Sequence, residues 1–102
     1  MRIAPRLGVV ILAAVGTGSC GRSSADVVRI GVVGSFRDPI GAPMKQAAEL
    51  AADEINAAGG INGRPLELVM RDDYADPDSA VFIAGDLYDS DVSAVVGHLF
   101  SG

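Results

Sequence analysis

Apolar residues run almost unbroken over residues 27–33 (Val-Val-Arg-Ile-Gly-Val-Val). Such a run predicts a strand buried on both faces, as in a parallel sheet. Residues 34–43 carry two glycines, two prolines, a serine and an aspartate, and are expected to form a loop. Met44, Ala47, Ala48, Ala51, Ile55 and Ala58 then recur at helical spacing, with Lys45, Gln46, Glu49, Asp53 and Glu54 between them. Gly59-Gly60 should end that helix, and Asn62-Gly63 should turn the chain. Residues 66–70 (Leu-Glu-Leu-Val-Met) predict a second strand, which leaves through Arg71-Asp72-Asp73. Asp76-Pro77-Asp78 is a helix start: Asp76 can cap, Pro77 fits the first helical position, and Asp78 suits the dipole. Ala80, Ile83, Ala84, Leu87 and Tyr88 form the expected apolar face of that helix. Residues 93–97 (Ser-Ala-Val-Val-Gly) predict a third buried strand.

The order is β-α-β-α-β, so the fold class is α/β, a partial doubly wound parallel sheet. Right-handed crossovers leave few topologies. In a 2-1-3 strand order the ligand position lies beyond the carboxyl ends of the first and third strands, whose exit loops are residues 34–43 and 97–102. Three strands and two helices make about half of a doubly wound domain, and a valine-rich third strand would stand uncovered. The chain is therefore expected to be the N-terminal part of a longer protein, and not to fold cooperatively alone.

The first 19 residues have the plan of a secretory signal peptide: Arg2 and Arg6, then an uncharged apolar run over residues 7–15, then Gly16-Thr-Gly-Ser19. No apolar run approaches the roughly 20 residues that span a bilayer. Cys20 follows directly and is similar to the acceptor of bacterial lipoproteins, although Thr17 stands where that pattern carries Leu. The expected organisation is a signal peptide over 1–19, a lipidated Cys20 with a tether over 20–26, and a domain over 27–102 held outside the membrane by its lipid.

Composition narrows the chemistry. Hydrophobic residues are 49% and charged residues 21%, a globular balance. The net charge is −5 and becomes more negative without Arg2 and Arg6, which disfavours nucleic acid as a partner. One cysteine permits no intrachain disulfide and no multi-cysteine metal site. Residues 31–34 do not meet the G-x-G-x-x-G spacing of a dinucleotide loop. His98 has no second histidine to join it, so its expected role is to fix its loop by hydrogen bonding. Asp72-Asp73 is expected to be structural, at the end of the second strand.

Four stretches, in order, carry a family resemblance: Ile30-Gly-Val-Val-Gly34; Ala51-Ala-Asp-Glu-Ile-Asn-Ala-Ala-Gly-Gly-Ile-Asn-Gly63; Leu66-Glu-Leu-Val-Met-Arg-Asp-Asp73 with Asp76-Pro77; and Val95-Val-Gly-His-Leu-Phe-Ser-Gly102. The chain resembles the start of the branched-chain amino-acid binding proteins, type I periplasmic-type solute receptors of ABC importers. The resemblance implies a first part of an N-terminal lobe, a second lobe beyond a hinge, and closure over a small amino acid or related carboxylate. It implies a membrane permease as partner, no cofactor and no covalent chemistry. It places Ser101, with Gly102 beside it, on the ligand's α-carboxylate. Two departures stand out. The loop after the first strand is about three residues shorter than in the best-known members, and Ala42, Pro43 and Met44 stand near the place of their ligand aromatic. Ala75 and Phe100 occupy positions where some members pair two cysteines. A sensory domain of a receptor or regulator with this fold is the alternative. A nucleotide- or flavin-binding enzyme is a third reading, opposed by the leader and the missing phosphate loop.

Overall fold

The computed structural model describes residues 26–99. The leader, Cys20, Phe100, Ser101 and Gly102 lie outside the described residues. The elements are β1 (Val28–Gly34), α1 (Gly41–Ala57), β2 (Leu66–Asp72), α2 (Pro77–Tyr88) and β3 (Ala94–Val96). The three strands form one parallel sheet in the order β2-β1-β3. β1 pairs with β2 from Val28↔Leu66 to Gly34↔Asp72 and with β3 from Ile30↔Ala94 to Val32↔Val96. The expected α/β class is observed, and the strands take the 2-1-3 order. β2 runs two residues past Met70, because its register with β1 continues to Gly34.

Period-two alternation along β1 assigns the helices to opposite faces. A side chain at Gly34 would meet Met44 of α1, while one at Gly31 would meet Leu87 of α2. Val33, Ile83 and Leu87 form the buried core on the α2 face, with Val69 and Val92 packed against it. Opposite faces are what two right-handed crossovers in opposite directions produce, the first from β1 to β2 and the second from β2 back past β1 to β3. Arg29 interrupts the apolar run of β1, and its guanidinium is shared between Glu67, its register partner on β2, and Asp91.

α1 departs from expectation at both its start and its face. It begins at Gly41, inside the segment expected to be loop. Asp38 makes that possible: its carboxylate accepts from the Ile40 N–H at 2.8 Å and its carbonyl from Ala42 N–H at 2.9 Å. Pro43 sits harmlessly in the first turn, where its missing N–H has no partner to lose. Gly41 and Ala52 are buried and Met44 and Ala48 half-buried, whereas Ala47, Ala51, Ile55 and Ala58 are exposed, Ile55 at 37%. The inward stripe is set by the closest approach, since a Cβ on Gly41 would lie 1.9 Å from the Ser35 carbonyl oxygen. Alanine is small enough to sit on either side of a helix, so its spacing alone leaves the rotation open.

In the last turn of α1, the Asn56 amide accepts from Leu66 N–H at 2.8 Å and donates to Leu66 O at 2.9 Å, which anchors the start of β2. Asn62 and Gly63 take φ of 52° and 77° between reciprocally bonded Ile61 and Arg64, the expected turn. α2 also has a narrower core face than its pattern predicts. Ile83 and Leu87 are buried, but Ala84 is exposed and Tyr88 is 87% exposed. Nor is β3 buried: all three residues are exposed, because β3 is an edge and only α2 approaches it. No described helix is long and apolar enough to cross a membrane.

The α2 cap is as expected. Asp76 Oδ2 accepts from Ser79 N–H at 2.9 Å and from the Ser79 hydroxyl at 2.7 Å. The hydroxyl bond, then the N–H bond, holds the Asp76 carboxyl below its ordinary value. A carboxyl lowered in the folded state adds stability that is complete above its unfolded value and is lost as pH falls through its folded value. Asp76→Ala should therefore destabilise the protein at neutral pH. The gap in denaturant midpoint between wild type and variant should close as pH is taken into the strongly acidic range; a gap that stays constant would remove the carboxylate from the cap.

Candidate functional site

The chain leaves β1 toward β2 on one side and returns from β2 to β3 on the other. The strand order thus switches between the carboxyl ends of β1 and β3, where ligands of open parallel sheets bind. Two exit segments border that point: residues 35–40 after β1, and the residues after β3.

The acidic pair at the end of β2 organises this rim. Asp72 Oδ1 accepts from Phe36 N–H at 3.4 Å and from Tyr74 N–H at 2.9 Å. Arg37 approaches Asp72 Oδ2 at 3.7 Å, and its guanidinium lies 5.0 Å over the Tyr74 ring. Asp73 is 5% exposed. Its Oδ1 accepts from Ala75 N–H at 3.0 Å, its carbonyl from Asp76 N–H at 2.9 Å, and its own N–H donates to Gly34 O at 3.2 Å. Its Oδ2 faces His98 Nδ1 at 3.9 Å. The two carboxylates hold a tight turn in which both Tyr74 and Ala75 take positive φ. Aspartate side chains that bond a backbone N–H two residues on are the means by which non-glycine residues are kept in such a turn.

The expected structural role of the Asp72-Asp73 pair is what the geometry gives, whereas His98 Nδ1 stands 3.9 Å from Asp73 Oδ2, beyond hydrogen-bond distance, and makes no hydrogen bond among the described residues. Phe36 does not line the rim as an aromatic wall. Its ring folds toward Gly34 beside Met44, so both pack on the α1 face. The sequence reading missed the buried Ser35 and the Arg37–Tyr74 stack. The Asp-Asp-x-x-Asp-Pro spacing was the available signal for the turn. Ser101 and Gly102, the expected ligand contacts, lie outside the described residues, two and three positions beyond Leu99.

Gly97 sets how the chain leaves β3. It takes φ 134°, and a Cβ there would lie 2.1 Å from the Val33 carbonyl oxygen. The chain therefore leaves β3 pressed against β1. A groove of about 620 Å³ runs down the α2 side of the β3 edge, lined by Leu87, Tyr88, Val92 and Val95, and meets the rim at Gly97 and His98.

This architecture is shared with known proteins. A family model described as periplasmic binding protein matches residues 27–102. The chain belongs to the periplasmic binding protein family. A leucine-, isoleucine-, valine-, threonine- and alanine-binding protein of Pseudomonas aeruginosa is 38% identical over 81 residues, 76% of this chain and 22% of that protein. The branched-chain amino acid transporter substrate-binding protein of Streptococcus pneumoniae, solved with isoleucine, superposes with a TM-score of 0.66 at 36% identity, covering 71% of this chain and 22% of the other. A fatty acid ABC transporter substrate-binding protein from Thermomonospora curvata superposes with a TM-score of 0.63 at 33% identity, covering 68% and 18%. The chain thus spans about a fifth of the length of these relatives. The periplasmic binding protein family is one of solute-binding proteins, and the three-stranded parallel sheet with its two helices matches part of one lobe.

Two glycine substitutions separate the rim from the scaffold. Gly97→Ala combines a positive φ with a clash against backbone, and is expected to cost at least about 1–3 kcal/mol. Gly85→Ala lies within α2 with nothing within 4 Å of the new methyl. It should stabilise by about 0.5–1 kcal/mol. Denaturant melts of both variants of the full-length protein check the pair, and equal effects would show that Gly97 is not constrained by β1.

Proposed function

We propose that the protein carrying this chain is an extracytoplasmic solute-binding receptor of an ABC importer. It holds a small amino acid or a related apolar carboxylate and presents it to a membrane permease. The observation that carries this reading is the 36% identity, over 71% of this chain, to a substrate-binding protein solved with isoleucine. The sheet supports it, with a switch point bordered by the segment that leads to Ser101. Ser101 donates its hydroxyl to the ligand carboxylate, and Gly102 contributes from the same segment. A hydroxyl and backbone N–H groups suit a carboxylate because they need no buried cation beside it.

Isoleucine and a fatty acid share a carboxylate and an apolar tail, and relatives of this chain are described with each. The test is calorimetric titration of the full-length protein with branched-chain amino acids, other amino acids and medium-chain fatty acids. A hydrogen bond to a charged group contributes roughly 1.5–3 kcal/mol. Ser101→Ala should therefore weaken the preferred ligand roughly ten- to a hundredfold, with the ligand-free melting temperature unchanged. Equal affinity in both proteins would remove Ser101 from the site. Failure of every carboxylate to bind would remove the receptor reading.

Cys20 is the lipid acceptor in this proposal, and the residues up to 26 are its tether. Full-length wild type should fractionate with membranes and show a mature N-terminus of lipid-modified Cys20 by mass spectrometry. Cys20→Ala should release the domain from the membrane. An unmodified Cys20 in mature wild type would overturn the anchor and leave the receptor reading intact.

A further inference from the structure

Arg37 and Tyr74 come from the exits of β1 and β2, which the pairing of these two strands makes neighbours. The guanidinium lies 5.0 Å over the ring, a cation–aromatic distance. An arginine stays charged in proteins, so the 3.7 Å between Arg37 Nε and Asp72 Oδ2 is an ion-pair separation. Tyr74 is fixed through its backbone, whose N–H donates to Asp72 Oδ1 at 2.9 Å. The pair is held in place and yet open: the Arg37 side chain is 80% exposed and Tyr74 58%. Among the described residues the guanidinium makes no hydrogen bond, so its donors face solvent.

The place of the pair points to a protein and not to the solute. The solute position of this sheet lies between β1 and β3, whereas β2 lies along the other edge of β1. Arg37 leans to that other edge, toward Asp72 and Tyr74. The pair therefore stands at the same end of the sheet as the solute, beside it. A protein that receives the solute must approach this end. What it meets there is a planar donor fork laid on an aromatic ring, and Arg and Tyr are the residue types that dominate protein interfaces. The net charge is −5, so an exposed cation selects its partner by opposite charge. The fork accommodates a carboxylate through two parallel bonds.

We propose that Arg37 and Tyr74 form a docking point for the membrane permease, in which an acidic side chain on the permease's solute-receiving face engages the Arg37 guanidinium. The inference rests on the receptor reading above and deepens it, because it names the surface that the permease meets.

The test is made in the native cell, with the full-length protein replaced by Arg37→Glu, Arg37→Lys, Tyr74→Gly or Lys45→Glu, and with isoleucine as the probe. Uptake of labelled isoleucine, isoleucine affinity of the purified proteins and their ligand-free melting temperatures are read. Lys45→Glu makes the same change of charge on α1, where Lys45 pairs with Glu49. Arg37→Glu is expected to lower uptake about tenfold or more and Tyr74→Gly to lower it several-fold, with isoleucine affinity within about twofold of wild type. Arg37→Lys keeps the charge but loses the fork, and should fall between Arg37→Glu and wild type. Tyr74 takes φ 55°, which glycine adopts freely, so Tyr74→Gly should not lower the melting temperature. Lys45→Glu should transport as wild type does. Undiminished uptake in Arg37→Glu, beside a wild type that transports, overturns the docking point alone. An equal loss in Lys45→Glu would make the effect one of net charge and overturn it as well. Weakened isoleucine binding would move the pair into the solute site or the closing of the lobes, and a collapsed melting temperature would make it structural; either overturns the proposal. A wild type that supports no isoleucine uptake overturns the importer reading, and this surface with it.

Discussion

Everything in this structure depends on β1 being paired along both edges. A strand flanked by two parallel partners cannot be followed by a hairpin, so each connection must cross over through a helix. Right-handed crossovers in opposite directions put α1 and α2 on opposite faces. Period-two alternation then divides β1 between them, Gly34 toward Met44 and Gly31 toward Leu87. The same constraint places the carboxyl ends of β1 and β3 side by side with their chains diverging, which is how a parallel sheet makes an open site without a cavity in its core.

That rim is not left to loop sequence alone. Three exit segments meet there, and two adjacent carboxylates organise them, Asp72 holding the β1 exit and Asp73 facing the β3 exit. A period of two sends neighbouring side chains in opposite directions at a strand end, so consecutive aspartates can serve different neighbours. The cost is two residues, Tyr74 and Ala75, at positive φ, and the compensation is the pair of carboxylate–backbone bonds that enclose them. The rim is thus stiffened from the β2 side, beside the segments that leave β1 and β3.

The apolar edge has the opposite character. β3 is exposed along its length, and Tyr88, Phe82 and Val81 of α2 are exposed as well. Valines in an edge strand look the same in sequence as valines in a central one, because both satisfy β propensity. Burial is a property of neighbours, and on this side of β3 the described residues supply none beyond α2.

The sequence by itself determined the alternation of strands and helices, the Asp76-Pro77 start of α2 and the Asn62-Gly63 turn. Each is written in local chemistry or in a run longer than its boundary error. It also carried the family, through blocks such as Ile55-Asn-Ala-Ala-Gly-Gly-Ile-Asn-Gly63 that no capping rule demands. Tertiary structure alone decided which alanines of α1 face inward, because the close approach of Gly41 to Ser35 sets the helix's rotation and alanine spacing does not. It decided that Asn56 secures β2, through an amide ten residues away in sequence. It brought Asp73 and His98 together across β1, which no spacing between them could announce, since only the sheet's pairing makes the two strand ends neighbours.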